Sequence, residues 1–138
     1  MQRNYNYFGD ELKRVFGEKV YKISLDSGFT CPTRDGLKGM GGCYFCGSTG
    51  SHFVAKDKPK SIAEQIQEGK KFLSARYKVK KFLAYFQSFT PTYGPIKILE
   101  KNLADAISDP DIVGLNLCTR PDCLQDEYLE LLARFMLD

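Results

Sequence analysis

The segment KFLAYFQSFTPTYGPIKILEKNLADAISDPDIVGLNL, residues 81–117, contains one complete strand–helix–strand pattern. KFLAYFQ at 81–87 is a short and nearly continuous apolar run, typical of a strand buried on both faces of a parallel sheet. Pro95 suits the start of a helix, and apolar residues keep the helical spacing to Ser108. IVGLNL at 112–117 predicts another buried strand. Two strands joined by a helix predict a parallel pair.

The same periodicities extend outward from this segment in both directions. KVYKISLD at 19–26 alternates between apolar and polar residues and predicts a strand. Ser61 with Glu64 three residues later forms a capping-box signature, and the helix that it begins is predicted to end near Tyr77. An i, i+3, i+4, i+7 pattern predicts a last helix, with apolar positions at Leu129, Leu132, Ala133 and Met136. The predicted order is β-α-β-α-β-α, an α/β fold on a parallel sheet.

The connections from strand to helix are the chemically rich part of this pattern. They are 27–60, 88–94 and 118–125, and the cysteines all lie in them or at the strand end that feeds one. In α/β folds of this kind, functional residues gather where parallel strands end. We therefore expect the site to be built from these three loops, including Gln87 and Arg120.

Composition limits the class of protein. The chain has 138 residues, of which 43% are hydrophobic, as expected for one globular domain. No apolar run approaches the roughly 20 residues that a membrane span needs, and the N-terminus lacks a signal-peptide core. We therefore expect a soluble, cytoplasmic protein without a membrane partner. In a reducing compartment, five clustered cysteines indicate metal ligands or catalytic thiols rather than disulfides.

Charge is distributed unevenly along the chain. Residues 56–81 hold nine Lys or Arg against three Asp or Glu, whereas residues 98–138 hold three against nine. A basic segment of this kind is compatible with an anionic partner such as RNA. Solvated faces of surface helices have the same composition, so the charge pattern alone leaves both interpretations open.

Three cysteines lie within CPTRDGLKGMGGCYFC, at Cys31, Cys43 and Cys46. With His52 they form C-x11-C-x2-C-x5-H, which has the ligand types of a tetrahedral Cys3His zinc site. The alternative is a cubane iron–sulfur cluster held by three thiolates, which leaves one iron open to a small molecule. The glycines of the loop favour close backbone approach to an anionic cluster; they are Gly36, Gly39, Gly41 and Gly42.

Four stretches of the chain are similar to a known family: DSGFTCPTRDG (26–36), GGCYFC (41–46), AYFQSFTPTY (84–93) and GLNLCTRPDCL (114–124). They resemble the radical S-adenosylmethionine (SAM) superfamily, and the similarity spans essentially the whole chain. Most members of that superfamily have C-x3-C-x2-C. The longer C-x11-C-x2-C spacing is similar to a subfamily of YhcC-type proteins related to the catalytic subunit of Elongator.

This resemblance implies a cofactor and a set of ligands. Cys31, Cys43 and Cys46 would bind a 4Fe-4S cluster, and Phe45 would pack near the adenine of SAM. Gln87, Ser88 and Thr90 would lie where superfamily members receive the methionine part of SAM. Arg120 would contact the SAM carboxylate or stabilise charge near the cluster.

The implied reaction is reductive cleavage of SAM to a 5'-deoxyadenosyl radical that abstracts hydrogen from a substrate. It requires an external electron donor such as flavodoxin or ferredoxin. Kinship with Elongator suggests tRNA as the substrate. A zinc-binding Cys3His RNA-binding module without catalysis, with residues 56–81 as its RNA footprint, remains the alternative.

The resemblance also implies an architecture. The three βα units would be the first half of a partial (β/α)6, TIM-like barrel, with 27–60 as the cluster loop. The last predicted helix stops at Asp138 without a glycine cap, and the third strand would form an open apolar edge. We therefore expect residues 1–138 to be the N-terminal half of a radical SAM core domain.

Overall fold

The computed structural model describes residues 4–47 and 60–136. Its centre is a parallel sheet of three strands: β1 (Val20–Leu25), β2 (Lys81–Phe86) and β3 (Ile112–Leu117), in the order β1-β2-β3. Four α-helices surround the sheet: α1 (Phe8–Phe16), α2 (Ile62–Tyr77), α3 (Ile96–Ile107) and α4 (Asp126–Arg134). The described residues therefore form a small α/β domain.

The predicted partial (β/α)6 barrel is wrong. Strand β2 pairs with β1 on one side and β3 on the other, and no pairing joins β1 to β3 among the described residues. A barrel requires enough strands, tilted and staggered, for the sheet to curl back on itself. Three twisted strands form an open sheet instead, and the first and last of them are its edges.

The predicted strands and later helices are confirmed, with small shifts at their ends. Helix α2 begins with the predicted capping box, since the Ser61 hydroxyl accepts from the Glu64 N–H and the Glu64 carboxylate accepts from the Ser61 N–H. Strand β2 is the most buried strand because it is central. Strand β3 is mostly half-buried rather than buried, since it lies at the sheet edge.

The two faces of the sheet are covered unequally. Alternate residues of β1 and β2 pack in the large core with α2, α3 and α4, including Ile23, Leu25, Phe82 and Phe86. The intervening positions Val20 and Leu83 pack with Leu12 of α1 in a smaller cluster. Helix α1 was not predicted, although Phe8, Leu12 and Phe16 have helical spacing and Gly17 supplies a left-handed cap.

Gly69 marks a close approach between α2 and β1. A Cβ at this position would lie 2.4 Å from Cγ2 of Ile23, a stiff β-branched side chain in the core. Gly69→Ala should therefore lower the free energy of unfolding by ~1–3 kcal/mol through overpacking. Helix propensity alone would raise it by about 1 kcal/mol. Urea unfolding shows whether the free energy of unfolding falls or rises in Gly69→Ala. Lys71→Ala, on the exposed side of the same helix, is the control. A stabilised Gly69→Ala variant would contradict the close packing.

Candidate functional site

The three strands end in register, at Leu25, Phe86 and Leu117, and this row is called the carboxyl edge. The ladder continues just past it, since the Gln87 N–H donates to the Leu25 carbonyl and the Cys118 N–H to the Phe86 carbonyl. The loops after the strands therefore leave the sheet side by side. All five cysteines follow these strand ends, as the sequence predicted.

The first loop, from Cys31 to Gly47, is called the cysteine loop. It folds back on itself, because the Arg34 N–H donates to the Cys31 carbonyl and the Gly42 N–H to the Thr33 carbonyl. Gly41 and Gly42 both have φ of 84°, a left-handed conformation that side chains rarely adopt. The glycines are thus needed for the turn that brings Cys43 back towards Thr33.

Cys31 is buried at the start of this loop. Its Sγ lies 3.2 Å from the Thr33 hydroxyl and accepts a 3.2 Å hydrogen bond from the Thr90 hydroxyl, which comes from the loop after β2. Burial raises the pKa of the Cys31 thiol, but these hydroxyls, the Thr33 N–H and the charge of Arg120 outweigh it and lower the pKa. The surroundings of this sulfur therefore stabilise negative charge on it, and the thiolate is the form that binds metals.

Cys43 and Cys46 are half-buried in the same loop. The Cys43 Sγ lies 4.0 Å from the Thr33 hydroxyl, so Thr33 stands between two of the predicted ligands. The Cys46 N–H donates to the Cys43 carbonyl in a tight turn. The three sulfurs are not gathered at one point: over 4–47 and 60–136 no group of three or more Cys, His, Asp or Glu could hold a metal ion.

Arg120 lies after β3 and joins the site through an ion network. Its guanidinium donates to both carboxylate oxygens of Asp122, at 3.0 and 2.9 Å, and Lys38 of the cysteine loop donates to the same carboxylate at 2.6 Å. The Arg120 and Lys38 partners hold the pKa of Asp122 well below its usual range, and Asp122 raises the pKa of Arg120. The network ties the loop after β3 to the cysteine loop.

Arg34 holds the cysteine loop against the loop after β2. Its guanidinium lies over the Phe89 ring, 5.0 Å from the ring centre, and it donates to the Gly47 carbonyl. A Cβ on Gly42 would lie 2.8 Å from the Arg34 Nε, so a larger residue here would require the Arg34 side chain to shift. Phe89 has a φ of 57°, a strained conformation for an aromatic residue that often marks functional loops.

Tyr93 provides a further link between these loops. A hydrogen bond to Asp35 raises the pKa of Tyr93 to about 12 and lowers that of the Asp35 carboxyl. The sequence did not reveal this pair, nor the role of Thr33, because neither residue belongs to a recognised ligand pattern. The sequence did contain one signal for Thr33, because a hydroxyl two positions after a cysteine is close enough to contact its sulfur.

The predicted SAM-binding residues have different surroundings. Phe45 is 88% exposed on the cysteine loop, and Gln87 is half-buried at the carboxyl edge. Ser88 is fully buried, and its hydroxyl has no hydrogen-bond partner among the described residues. Thr90 is also buried and contacts Cys31. Their predicted contacts with SAM remain predictions.

The two remaining cysteines differ from each other. Cysteine is a common small residue in protein cores, and Cys123 is buried, whereas Cys118 is exposed. Cys118 is exposed because it follows the edge strand β3, and its Sγ lies 3.4 Å from the Tyr85 hydroxyl. Burial raises the pKa of the Cys123 thiol, whereas the pKa of the Cys31 thiol is lowered by its hydrogen bonds and the charge of Arg120 despite burial.

The basic segment 56–81 is described from residue 60 onward. Three of its lysines are paired internally: Lys60 with Glu68, Lys70 with Asp109 and Asp111, and Lys81 with Glu18. Lys71, Lys78 and Lys80 are exposed. Three of the six described lysines of the segment are therefore paired within the domain, and the other three are exposed to an anionic partner. His52, the fourth ligand of the zinc alternative, lies outside the described residues.

The fold and site define an α/β protein with a cysteine-rich loop at the carboxyl edge of a parallel sheet. The chain is 40% identical over 135 residues to the protein YhcC of Escherichia coli and 37% identical over 132 residues to the uncharacterized protein YtqA of Bacillus subtilis. It is 35% identical over 130 residues to the uncharacterized protein MJ0486 of Methanocaldococcus jannaschii.

These alignments cover 98%, 96% and 94% of this chain but only 42%, 41% and 39% of the respective relatives. The chain thus spans about two-fifths of the length of the relatives it matches. No protein-family model and no solved structure matches it. The names of these relatives state no activity, so the radical SAM assignment stays a prediction. No helix within 4–47 and 60–136 is long and apolar enough to cross a membrane.

Proposed function

We propose that the protein is a radical SAM enzyme, or part of one, that binds a 4Fe-4S cluster through Cys31, Cys43 and Cys46. The observation that carries the proposal is the environment of Cys31. Its sulfur is buried at the carboxyl edge, contacts two threonine hydroxyls and is subject to the positive charge of Arg120. These groups stabilise negative charge on sulfur, as a thiolate ligand requires.

The set of donors fits an iron–sulfur cluster. All three candidate ligands are thiols, and the left-handed glycines let main-chain N–H groups approach an anionic cluster. Binding requires the cysteine loop to bring the three sulfurs together, because they are separate here. When bound, such a cluster supplies the electron for reductive cleavage of SAM. Thr33 and Thr90 would hold the Cys31 sulfur, and Arg120 would counter negative charge beside it.

The remaining parts of the proposal rest on the sequence resemblance. The site would need an external one-electron donor such as flavodoxin or ferredoxin, and free cysteines of this kind suit the cytoplasm. A tRNA substrate is supported by the resemblance and by the exposed lysines Lys71, Lys78 and Lys80. Phe45, Gln87 and Ser88 are the proposed contacts of SAM.

Metal analysis of the full chain tests this proposal. After anaerobic reconstitution with iron and sulfide, we expect about four iron atoms per chain. We also expect an electron paramagnetic resonance (EPR) signal of the reduced protein that SAM alters. The His52→Ala variant should retain the iron, since histidine is not among the proposed ligands. About one zinc per chain, lost in His52→Ala, together with no iron signal, would instead establish the Cys3His alternative.

A further inference from the structure

Thr90 contacts the predicted cluster ligand Cys31 from a different part of the chain. The two residues are 59 positions apart, and the Thr90 hydroxyl donates to the Cys31 Sγ at 3.2 Å. Thr90 is 1% exposed, so water does not compete for this hydrogen bond. The contact therefore joins the loop after β2 directly to the sulfur.

The main chain around Thr90 fixes the direction of its side chain. The Thr90 N–H donates to the Thr30 carbonyl at 3.2 Å, and the Thr90 carbonyl accepts from the Tyr93 N–H at 2.9 Å. The neighbouring Phe89 is in the left-handed conformation, which turns the chain just before Thr90. These main-chain contacts hold the loop in place, so the Thr90 hydroxyl is oriented towards the Cys31 sulfur.

Thr33 also contacts Cys31, but its position in the chain gives it a different role from that of Thr90. It belongs to the cysteine loop, two residues from Cys31, and is half-buried. Cluster binding would require that loop to bring its three sulfurs together, and Thr33 would move with it. Thr90 lies outside the cysteine loop, in the loop after β2, and its main chain is hydrogen-bonded to Thr30 and Tyr93.

We propose that Thr90 is a positioning residue that anchors the Cys31 sulfur and raises the reduction potential of the cluster bound through it. This inference rests on the proposed function. A cluster gains one negative charge on reduction, and that charge is shared by its sulfur ligands. A hydrogen bond donated to a ligand sulfur stabilises the reduced form more than the oxidised form, and so raises the potential.

The test compares three substitutions in the full chain. Thr90→Val removes the hydroxyl but keeps the shape, and Thr90→Ser keeps the hydroxyl. Thr92→Val is the matched control, because Thr92 is the same residue type in the same loop, is 2% exposed, and bonds the Thr119 hydroxyl instead of a sulfur. The measurements are the cluster midpoint potential, from redox titration followed by EPR, and the rate of iron loss to a chelator.

We expect Thr90→Val to shift the midpoint potential to more negative values and to weaken iron retention about tenfold or more. Thr90→Ser should restore both, and Thr92→Val should match the wild type. If Thr90→Val does not fold, Thr90→Ala provides the same loss of hydroxyl.

A wild-type midpoint and wild-type iron retention in Thr90→Val would overturn this inference and leave the proposed function standing. An equal shift in Thr92→Val would also overturn it, since the effect would then belong to loop stability. A wild-type chain that takes up zinc or no iron would overturn both. The metal content of the wild type distinguishes the two failures.

Discussion

Replacing Cys31 by alanine is expected to reduce the iron recovered after anaerobic reconstitution to background. Cys31 is the predicted ligand whose sulfur contacts two hydroxyls, and it is the most buried of the three. Loss of a group that merely supports a ligand typically costs about 10–100-fold in metal affinity, and loss of the ligand itself should cost at least as much. Iron and sulfide content per chain, measured with the visible absorption spectrum, would check this.

Cys118→Ala is the control for this experiment. Cys118 also lies at the carboxyl edge, but it is exposed and its Sγ lies 3.4 Å from the Tyr85 hydroxyl. Its loss should leave the iron content unchanged. Full iron content in Cys31→Ala would remove Cys31 from the ligand set, and equal loss in both variants would show that the cysteines act through folding rather than ligation.

The regular elements could be predicted because their signals are local. The apolar run at 81–87, the capping box of Ser61 and Glu64, and the helical spacing after Pro95 each lie within one element. Helix α1 was not predicted, although Leu12 and Phe16 have helical spacing and share one face. Strand β3 lies at the sheet edge, as expected from the sequence, but its partial burial was not predicted from the apolar run at 112–117.

The barrel prediction failed for a different reason. It followed from the resemblance to a family, whereas closure of a sheet depends on how many strands pair and how they stagger. The observed order β1-β2-β3 is the simplest that two strand–helix–strand units can form. The periodicities therefore predicted the α/β class and the parallel sheet correctly, whereas the partial barrel that the resemblance implied is wrong.

The location of the candidate site could be predicted from the sequence, but the contacts between its side chains could not. Parallel strands bring their carboxyl ends together, so the three loops were predicted to meet, and polar pairs such as Lys38 with Asp122 confirm it. The Thr90 contact with Cys31 depends on the left-handed turn at Phe89. Non-glycine residues rarely adopt this conformation, so the sequence did not predict the turn. Long-range contacts of this kind can be identified only from the three-dimensional path of the backbone.

The central strand carries both the core and the loop that supports the site. Phe86 closes β2 at 0% exposure, within the large core, and its carbonyl accepts the Cys118 N–H. Two residues further on, the chain enters the loop that holds Thr90. A substitution that removes the Phe86 ring should therefore perturb the cysteine site, both through the end of β2 and through the core.

Phe86→Ala should lower the free energy of unfolding by ~3–5 kcal/mol, through lost transfer energy and the cavity left behind. Domains of this size are stable by only about 5–15 kcal/mol, so the variant should unfold at much lower urea concentration. Phe72→Ala is the matched control, because Phe72 lies on α2 and is 63% exposed; it should change stability by less than about 0.5 kcal/mol. Circular dichroism through a urea titration compares them, and equal midpoints would contradict the assignment of Phe86 to the core.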